Sequence, residues 1–551
     1  MIPEINNMRR VALFILISIV IAVKGADVNI SLLKAVGDGK TDNTLIIQKA
    51  IDSCSLTGGG TVIIPMGTFL TGPIFFKSNV SLFLQSGSVL LGIANLDVYT
   101  NAFPNFTSPE SPALLYAKDV NNIGIYGTGI IDGQGSDQTF QYGNDPTGPL
   151  RPRLIYFRNC MNVLVKDITL QNPAFWTQDY EGCDGVIINN IKVYAYGNWN
   201  NDGLDIDSKN VVVSDCYIES DDDALCIKSD YPALCANVTV TNCNLRTNCN
   251  AIKLGTSSKG GFKTINISGC KIQAASKSII RDWSKIYSWM GIESSISVIA
   301  GIAIECVDGG ILDGVNISDI EMTDVQTPIF IRLGDRNRTY TNQISTLKNV
   351  TINNITAKSN SKMTCSITGI TSKTVENISI SNVNMEVRGA GTVNDTSLNI
   401  NEAKTDYPEN RMFGVILPAY GFYIRHALNV SFKNVKMTTR QTDIRPTFVF
   451  DNVQKYSIDT CIANGNVPSI KLSASTALTM LISNMQDVYT IIIVGDELII
   501  KSEAKIYAQL FSVEGCLINS YNGINEVRTE PLHRGIYILK VNNKSCKIII
   551  K

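Results

Sequence analysis

From about residue 121 one short phrase keeps returning in this chain. It reads Asn or Gly, then alternating Val/Ile, then Asn, Asp or Gly, then more alternation: NIGIYGTGI, NVLVKDITL, GVIINNIKV, NVVVSDCYI, NVTVTNCNL, TINISGCKI, GVNISDIEM, NVTINNITA, NISISNVNM, NVSFKNVKM. The second residues fall at 163, 186, 211, 238 and 265, with intervals of 23, 25, 27 and 27. Period-2 alternation marks half-buried strands, and a fixed step in the twenties marks a solenoid in which each repeat buries its apolar face on its neighbours. The recurring Asn suits a turn: it tolerates a left-handed backbone and can bond to its copy in the next coil. The expected architecture is all-β, a parallel β-helix. The next second residue, at 315, lies 50 residues on and is read as two coils; 350, 378 and 430 follow. Two polar stretches, 280–300 with two of the four Trp and 390–420, interrupt the rhythm and are read as long loops bordering a binding face.

The stretch 200–229, NNDGLDIDSKNVVVSDCYIESDDDALCIKS, concentrates acids around one such strand. Asp202 and Asp223 are 21 residues apart, close to one coil. Coils stack at about 4.8 Å, so residues one period apart lie above one another. The expected column is Asp179, Asp202, Asp222 with Asp223, Asn250 and Lys253, with steps of 23, 21 and 27. Carboxylates this close repel if all are ionised, which a chain tolerates where they share protons for catalysis or bind a metal. Acid–base cleavage of a glycosidic bond needs such a group: one carboxyl protonates the leaving oxygen and another activates water, about 6.5–9.5 Å away when configuration inverts. A solvated acidic turn on a solenoid edge is the alternative.

Composition narrows the chemistry. The net charge is −1, which points to no nucleic-acid or anionic-membrane partner. The only histidines, His426 and His533, lie outside the acidic stretch, excluding histidine-based acid–base or metal chemistry there. No CxxC pair occurs among the 14 cysteines, so zinc is not expected, and no cofactor or metal is assigned. Cys216, Cys243 and Cys270 repeat every 27 residues, which reads as an interior ladder of small apolar side chains rather than a disulfide framework.

The ends differ from the middle. Arg9 and Arg10 precede a 13-residue apolar run from Val11 to Val23, then Gly25 and Ala26; this reads as a signal peptide over 1–25, hence a secreted, periplasmic or cell-surface protein. The segment AVGDGKTDNTLIIQKAIDSC ends in an amphipathic helix pattern with Thr41 or Asp42 as N-cap, placed to cover the open end of the stack. A β-helix domain is assigned to 26–482. The tail 483–551 reads as a small antiparallel β-domain, and its ending GIYILKVNNKSCKIIIK resembles the C-terminal sorting domains of type IX secretion in Bacteroidetes, implying contact with that machinery. A plain accessory β-domain is the alternative.

The acidic phrases also carry a family resemblance. NNDGLDID followed by SDDDALCIKS resembles the NTDG and GDDC-type motifs of glycoside hydrolase family 28, the polygalacturonases and related pectin hydrolases. AVGDGKTDNT with GGGTVIIPMGTFLTGPIFFKSNVSLFL resembles that superfamily's N-terminal region, and NPAFWTQDYEGCDGV the coil before its site, so the resemblance covers roughly 28–450. It implies a right-handed parallel β-helix of the pectin lyase-like kind and hydrolysis with inversion. By position it implies Asp222 as general acid, with Asp202 and Asp223 holding the attacking water, and Asp221 standing where the family usually has Gly. It also exposes departures. Asn250, in CNAIKLGT, stands where a His of the GHG motif is expected; Ala303 and Glu305, in GIAIEC, replace the Arg and Lys of the RIK motif; Asp179, in WTQDY, stands where many bacterial relatives have His. Cations to meet a galacturonate carboxylate are then sought in Lys228, Lys253, Arg281, Arg332 or Arg336, with structural ion pairs as the alternative for each. Trp176 and Tyr180 are candidates for stacking on a sugar ring, or for core packing.

The preferred reading is an inverting, exo-acting or side-chain-specific pectin hydrolase of monomeric state acting on galacturonan or rhamnogalacturonan. A Ca²⁺-dependent β-helix polysaccharide lyase and a catalytically inactive glycan-binding solenoid are the alternatives.

Overall fold

The computed structural model describes residue 25 and residues 27–550, apart from 105–109, 145–149, 398, 474–479, 485–486, 495–496, 514 and 542–543. The apolar run assigned to the signal peptide lies outside the described residues.

Strands one coil apart pair in parallel along three ladders, so each coil contributes a strand to each of three faces. The first ladder carries the repeating phrase: Ile123, Val163, Val186, Val211, Val238, Ile265, Val315, Val350, Ile378 and Val430 follow one another in register. All ten are buried, each apolar side chain capped above and below by its copy. Burial of a Val or Ile contributes roughly 1.5–3 kcal/mol, which is why the alternation recurs so strictly. The second ladder passes through Leu170, Val193, Ile218, Leu245 and Ile272. The third, which bears the candidate site, passes through Tyr180, Ile206, Ile227, Leu254, Ile304 and Ile331.

The turns are held as the Asn pattern suggested. Asn122, Asn162, Asn210, Asn237, Asn349, Asn377 and Asn429 all have positive φ. Each side-chain amide donates to the Asn or Asp at the same place one coil earlier, at 2.6–3.0 Å, as in Asn237 to Asn210 at 3.0 Å and Asn377 to Asn349 at 2.9 Å. Cys216, Cys243 and Cys270 are buried beside this column, each thiol donating to the carbonyl two residues before it. All the described cysteines are free.

One expectation about the rhythm is corrected: the 50-residue interval is not two coils. Ile265 pairs directly with Val315, and Ile378 with Val430, so the 50- and 52-residue intervals are each one coil carrying a long loop. The first loop, 275–297, contains a short helix Trp283–Ile286 and a 3-10 turn Ser288–Met290. Its Trp283, Met290 and Ile292 pack in one apolar cluster with Phe413, Ile416 and Leu417 of the second loop, 388–421. The two insertions, far apart in sequence, therefore form one wall beside the third ladder.

At the N-terminal end, helix Thr44–Leu56 buries Ile47, Ala50, Ile51 and Cys54, the i, i+3, i+4, i+7 stripe of an amphipathic helix. It packs on the first strands of the stack. Its N-cap is Asn43, one or two residues later than read from sequence, because the Asn43 amide is engaged with the Val36 backbone; Asp42 still accepts from the Thr44 N–H at 2.8 Å. At the other end, strand Met480–Asn484 pairs in parallel with Phe448–Asp459, then in antiparallel with Asp487–Val494. The later strands Glu497–Ser512, Leu517–Arg528, Gly535–Val541 and Lys544–Ile550 all pair antiparallel around Leu498, Ile500, Ile506, Leu510 and Leu539.

Candidate active site

Asp202 lies in the turn before strand Leu204–Ser214, and Asp221, Asp222 and Asp223 lie between strands Tyr217–Ser220 and Leu225–Ser229. The third ladder sets their heights. Leu204 pairs with Leu225 and Leu225 with Ile252. The Gly203 N–H donates to the Asp223 carbonyl at 2.8 Å and the Ala224 N–H to the Asn250 carbonyl at 2.9 Å. Asp202, Asp223 and Asn250 therefore occupy successive coils, as their 21- and 27-residue steps suggested. Asp179 does not continue that column. It pairs with Asp205, 26 residues on, and Trp176 precedes Asp202 in the column, the Thr177 N–H donating to the Asp202 carbonyl at 2.9 Å.

The carboxylates meet closely. One oxygen each of Asp202 and Asp223 lie within 4.8 Å, and so do one each of Asp222 and Asp223. This is tighter than the about 6.5–9.5 Å expected of an inverting pair, because Asp222 and Asp223 are chain neighbours in one turn, not residues of adjacent coils. Each carboxylate has its own cation. Lys228 Nζ is 3.3 Å from Asp202 and 2.7 Å from Asp205; Lys253 Nζ is 2.8 Å from Asp223; Arg281 Nη2 is 2.6 Å from Asp222. The ligand-type atoms of Asp202, Asp223 and Cys226, and of Asp222, Asp223 and Cys249, are close enough for an ion. Lysine and arginine already supply the positive charge that an ion would bring.

These surroundings split the acids. Burial pushes the Asp202 carboxyl well above the usual carboxylate range, with Lys228 only partly opposing it. Burial acts on Asp223 too, but Lys253 and the hydrogen bonds to Asp223 outweigh it and bring the group down to about 2. Asp223 Oδ1 accepts from both the Asn250 N–H at 3.0 Å and the Asn250 side-chain amide at 2.8 Å. Across one coil spacing a carboxyl that burial pushes up thus faces one that Lys253 holds down, an arrangement suited to holding and activating a water.

The other candidate residues fall into two groups. Lys228, Lys253, Asn250 and Arg281 are in the cluster, as above. Trp176 is beside it, with Lys228 Nζ 3.2 Å from its ring centroid and Phe175 stacked at 4.9 Å. Asp179 is buried against Arg153 at 2.9 Å, and burial, opposed by Arg153, pushes its carboxyl up to about 7. Three do not serve the site as read. Tyr180 is wholly buried in the core. Arg332 is buried and spends its guanidinium on the carbonyls of Gly369, Glu402 and Ala403, pinning the second insertion instead of facing a ligand. Arg336 is clamped to Asp308 by two bonds of 2.8 and 2.6 Å.

Where the resemblance placed basic residues, Ala303 and Glu305 are both buried. Glu305 accepts from Thr256 Oγ1 at 3.0 Å, and burial, partly opposed by Lys253, pushes its carboxyl up to about 8. Sequence reading missed three participants. Asp205 stood in plain view in the LDID phrase, three residues after Asp202. Tyr407 and Glu409 come from the second insertion: the Tyr407 hydroxyl is 3.2 Å from Lys253 Nζ, and Glu409 lies near enough to be felt electrostatically by Asp223, Asp222 and Lys253. No local signal marks a contact that spans 154 residues.

Known proteins resemble this chain in both sequence and fold. An exo-poly-alpha-D-galacturonosidase of Dickeya chrysanthemi is 30% identical over 249 residues, covering 36% of this chain and 41% of that protein. An exopolygalacturonase of Zea mays is 27% identical over 403 residues, 69% of this chain and 88% of that protein. The chain thus spans less than half of the first relative's length and most of the second's. Among solved structures, a family 28 exopolygalacturonase of Yersinia enterocolitica superposes with a TM-score of 0.59 at 20% identity, covering 79% of this chain and 78% of that one. An exopolygalacturonase from Thermotoga maritima gives 0.56 at 22% identity, covering 66% and 87%. At these identities the structures attest the fold, an all-β solenoid. The family model of the glycosyl hydrolases family 28 matches residues 54–407, which include Asp202, Asp205, Asp222 and Asp223, and the chain belongs to that family.

Proposed function

We propose that this protein hydrolyses glycosidic bonds in pectic polysaccharides or oligosaccharides, galacturonan or rhamnogalacturonan, with inversion of configuration. The observation that carries the reading is the set of three aspartates on two adjacent coils, each held by a different cation. Asp222, the most exposed of the three, donates a proton to the leaving oxygen; Asp202 and Asp223 hold the water that attacks the anomeric carbon, and take up its proton. The short spacing between Asp222 and Asp223 would by itself suit a covalent, retaining route. Asp223 is poorly placed for that route, since Asn250 and Lys253 engage both its oxygens and leave it a weak nucleophile. The related exo-acting enzymes, together with Tyr407 reaching over Lys253 from the second insertion, support action at a chain end or on a side chain over cleavage in mid-chain.

The experiment is a product assay on pectic polymers and oligosaccharides. A hydrolase releases reducing ends with no ultraviolet-absorbing unsaturated sugar and is indifferent to a chelator. Unsaturated products and loss of activity with chelator would establish the lyase; binding without products would establish an inactive solenoid. Undiminished cleavage by Asp222→Asn would remove Asp222 as the acid.

The reading extends to location. We infer export by the N-terminal segment and, through the tail from 483, contact with type IX secretion machinery, the exported protein acting as a monomer. N-terminal sequencing of the exported protein should begin near residue 26, and deletion of 483–551 should leave the protein inside the cell envelope.

A further inference from the structure

The three site cations are not equivalent. Lys253 is buried between Asp223 and Tyr407, and Lys228 is shared by Asp202 and Asp205. Both sit on the solenoid's own strands, Asn250–Ser258 and Leu225–Ser229, with no slack to move. Arg281 instead comes from the first insertion. Its backbone N–H is fixed by Ser278 Oγ at 2.9 Å, and the loop is tied down by Trp283 Nε1 donating to the Asn248 carbonyl at 2.7 Å. The guanidinium lies between two indoles, 5.3 Å from the Trp199 ring and 5.8 Å from the Trp283 ring. A planar cation between aromatic rings can slide while keeping its contacts.

Its partners are equally telling. Arg281 reaches the Asp221 carbonyl and the Asp222 carboxylate. Asp221 itself does not depend on it: the Asp221 carboxylate accepts from Asn248 at 2.9 Å, Ser278 Oγ at 2.7 Å and the Ile279 N–H at 3.0 Å. Asp222, the proton donor of the proposed reaction, takes one bond from the Asp223 N–H, at 3.0 Å to Oδ1, and has Arg281 as its ion-pair partner at Oδ2. A general acid tied to a guanidinium is not ready to donate. The nearby cations are engaged elsewhere, Arg411 with Glu409 and Lys253 with Asp223, so among the described residues Arg281 is the cation paired with Asp222.

We propose that Arg281 is the specificity residue of the site: it pairs with Asp222 in the free protein and transfers to a uronate carboxylate of the substrate. This rests on the hydrolase reading and deepens it. An acidic sugar draws the guanidinium off Asp222, which then takes a proton from solvent and passes it to the glycosidic oxygen, while the water held at Asp202 and Asp223 gives its hydroxyl to the anomeric carbon and its proton to that pair. A neutral sugar offers no competing anion, and Asp222 stays tied. The same exchange would supply the carboxylate grip that Ala303 and Glu305 cannot.

The test compares kcat/KM on an oligogalacturonide and on its methyl ester, for the wild type, Arg281→Gln and Arg281→Lys. Charge-assisted bonds of this kind are worth about 1.5–3 kcal/mol, or roughly 10- to 100-fold. The wild type should favour the acid by that factor. Arg281→Gln should bring the two substrates within about threefold, losing rate on the acid and not on the ester, and Arg281→Lys should restore part of the preference. An Arg281→Gln variant whose two rates fall equally, with the ratio kept, would make Arg281 a structural strut and overturn the proposal. A wild type that cleaves both substrates equally would overturn it as well. Failure of the wild type to cleave either would instead sink the hydrolase reading beneath it. Thermal melts of both variants separate misfolding from the loss itself, and calorimetric binding of galacturonic acid, weaker in Arg281→Gln, provides a readout independent of turnover.

Discussion

Two neighbouring stretches of the third ladder, 202–228 and 250–305, are built by the same parallel pairing and carry opposite charge arrangements. In the first, acids dominate: Asp202 and Asp205 share Lys228, while Asp222 and Asp223 take their cations from outside the stretch. In the second, Lys253 and Asn250 reach back to satisfy Asp223, while Ala303 and Glu305 lie buried on the same face of the ladder as Lys253, opposite to the core-facing Ile302 and Ile304. The first stretch thus carries the chemistry and the second its support. A solenoid can divide the work this way because each coil touches only its neighbours: a cation needed by one coil can be supplied by the next, or by an inserted loop, without disturbing the rest.

The comparison can be broken at several points. The largest expected effect is on the acidic side. Asp223→Asn should cut kcat by roughly 10²–10⁴-fold, read by reducing-end release, and should also lower the melting temperature, since it leaves Lys253 buried without its anion. Glu305→Gln tests the supporting side. A carboxyl whose folded pKa lies near 8 holds a proton that the unfolded chain gives up at its ordinary, lower pKa. Stability of the parent therefore falls as pH rises from about 4.5 to 8, and the variant should be the more stable by roughly 3–5 kcal/mol near pH 8 and about equal at pH 4. Urea unfolding at the two pH values measures it; a constant difference would show that Glu305 is ionised throughout.

Lys253→Met probes the link between the two stretches. Asp223 is held at about 2, below its unfolded value, so its contribution is present above about pH 4 and is lost as pH falls through 2. Removing Lys253 should cost roughly 2–4 kcal/mol at pH 7 and much less at pH 2.5, by the same unfolding assay. The smallest effect should come from the shared scaffold. Asn237→Ala puts an alanine at φ +56° and deletes the bond to Asn210, for a loss of about 1–2 kcal/mol with kcat unchanged.

Much of this was legible in the sequence, for reasons that residues make plain. Valine and isoleucine alternate because each must cover its copy, and Asn recurs because its amide both permits the turn and bonds the next turn. Asp202, Asp223 and Asn250 could be stacked because no bulge separates them in the ladder. Asp179 could not be placed by counting, since the coil length is not constant on this ladder: the step is 26 from Asp179 to Asp205 but 21 from Leu204 to Leu225. The 50-residue interval before Val315 was ambiguous for a related reason: an inserted loop and an additional coil add the same length, and only the pairing of Ile265 with Val315 decides between them. Arg281 could be named from sequence as a cation but not distinguished from Arg332, because which of them faces the acids depends on how two insertions pack together. Tyr407 gave no sign at all.

The most direct test of the account follows the anomeric proton of the first sugar released from an α-linked galacturonan by NMR, before mutarotation sets in. Water held by Asp202 and Asp223 and attacking opposite the leaving group gives the β anomer first. First appearance of the α anomer would mean that Asp223 or a neighbour forms a covalent glycosyl intermediate, and the roles assigned to the three aspartates would have to be redrawn.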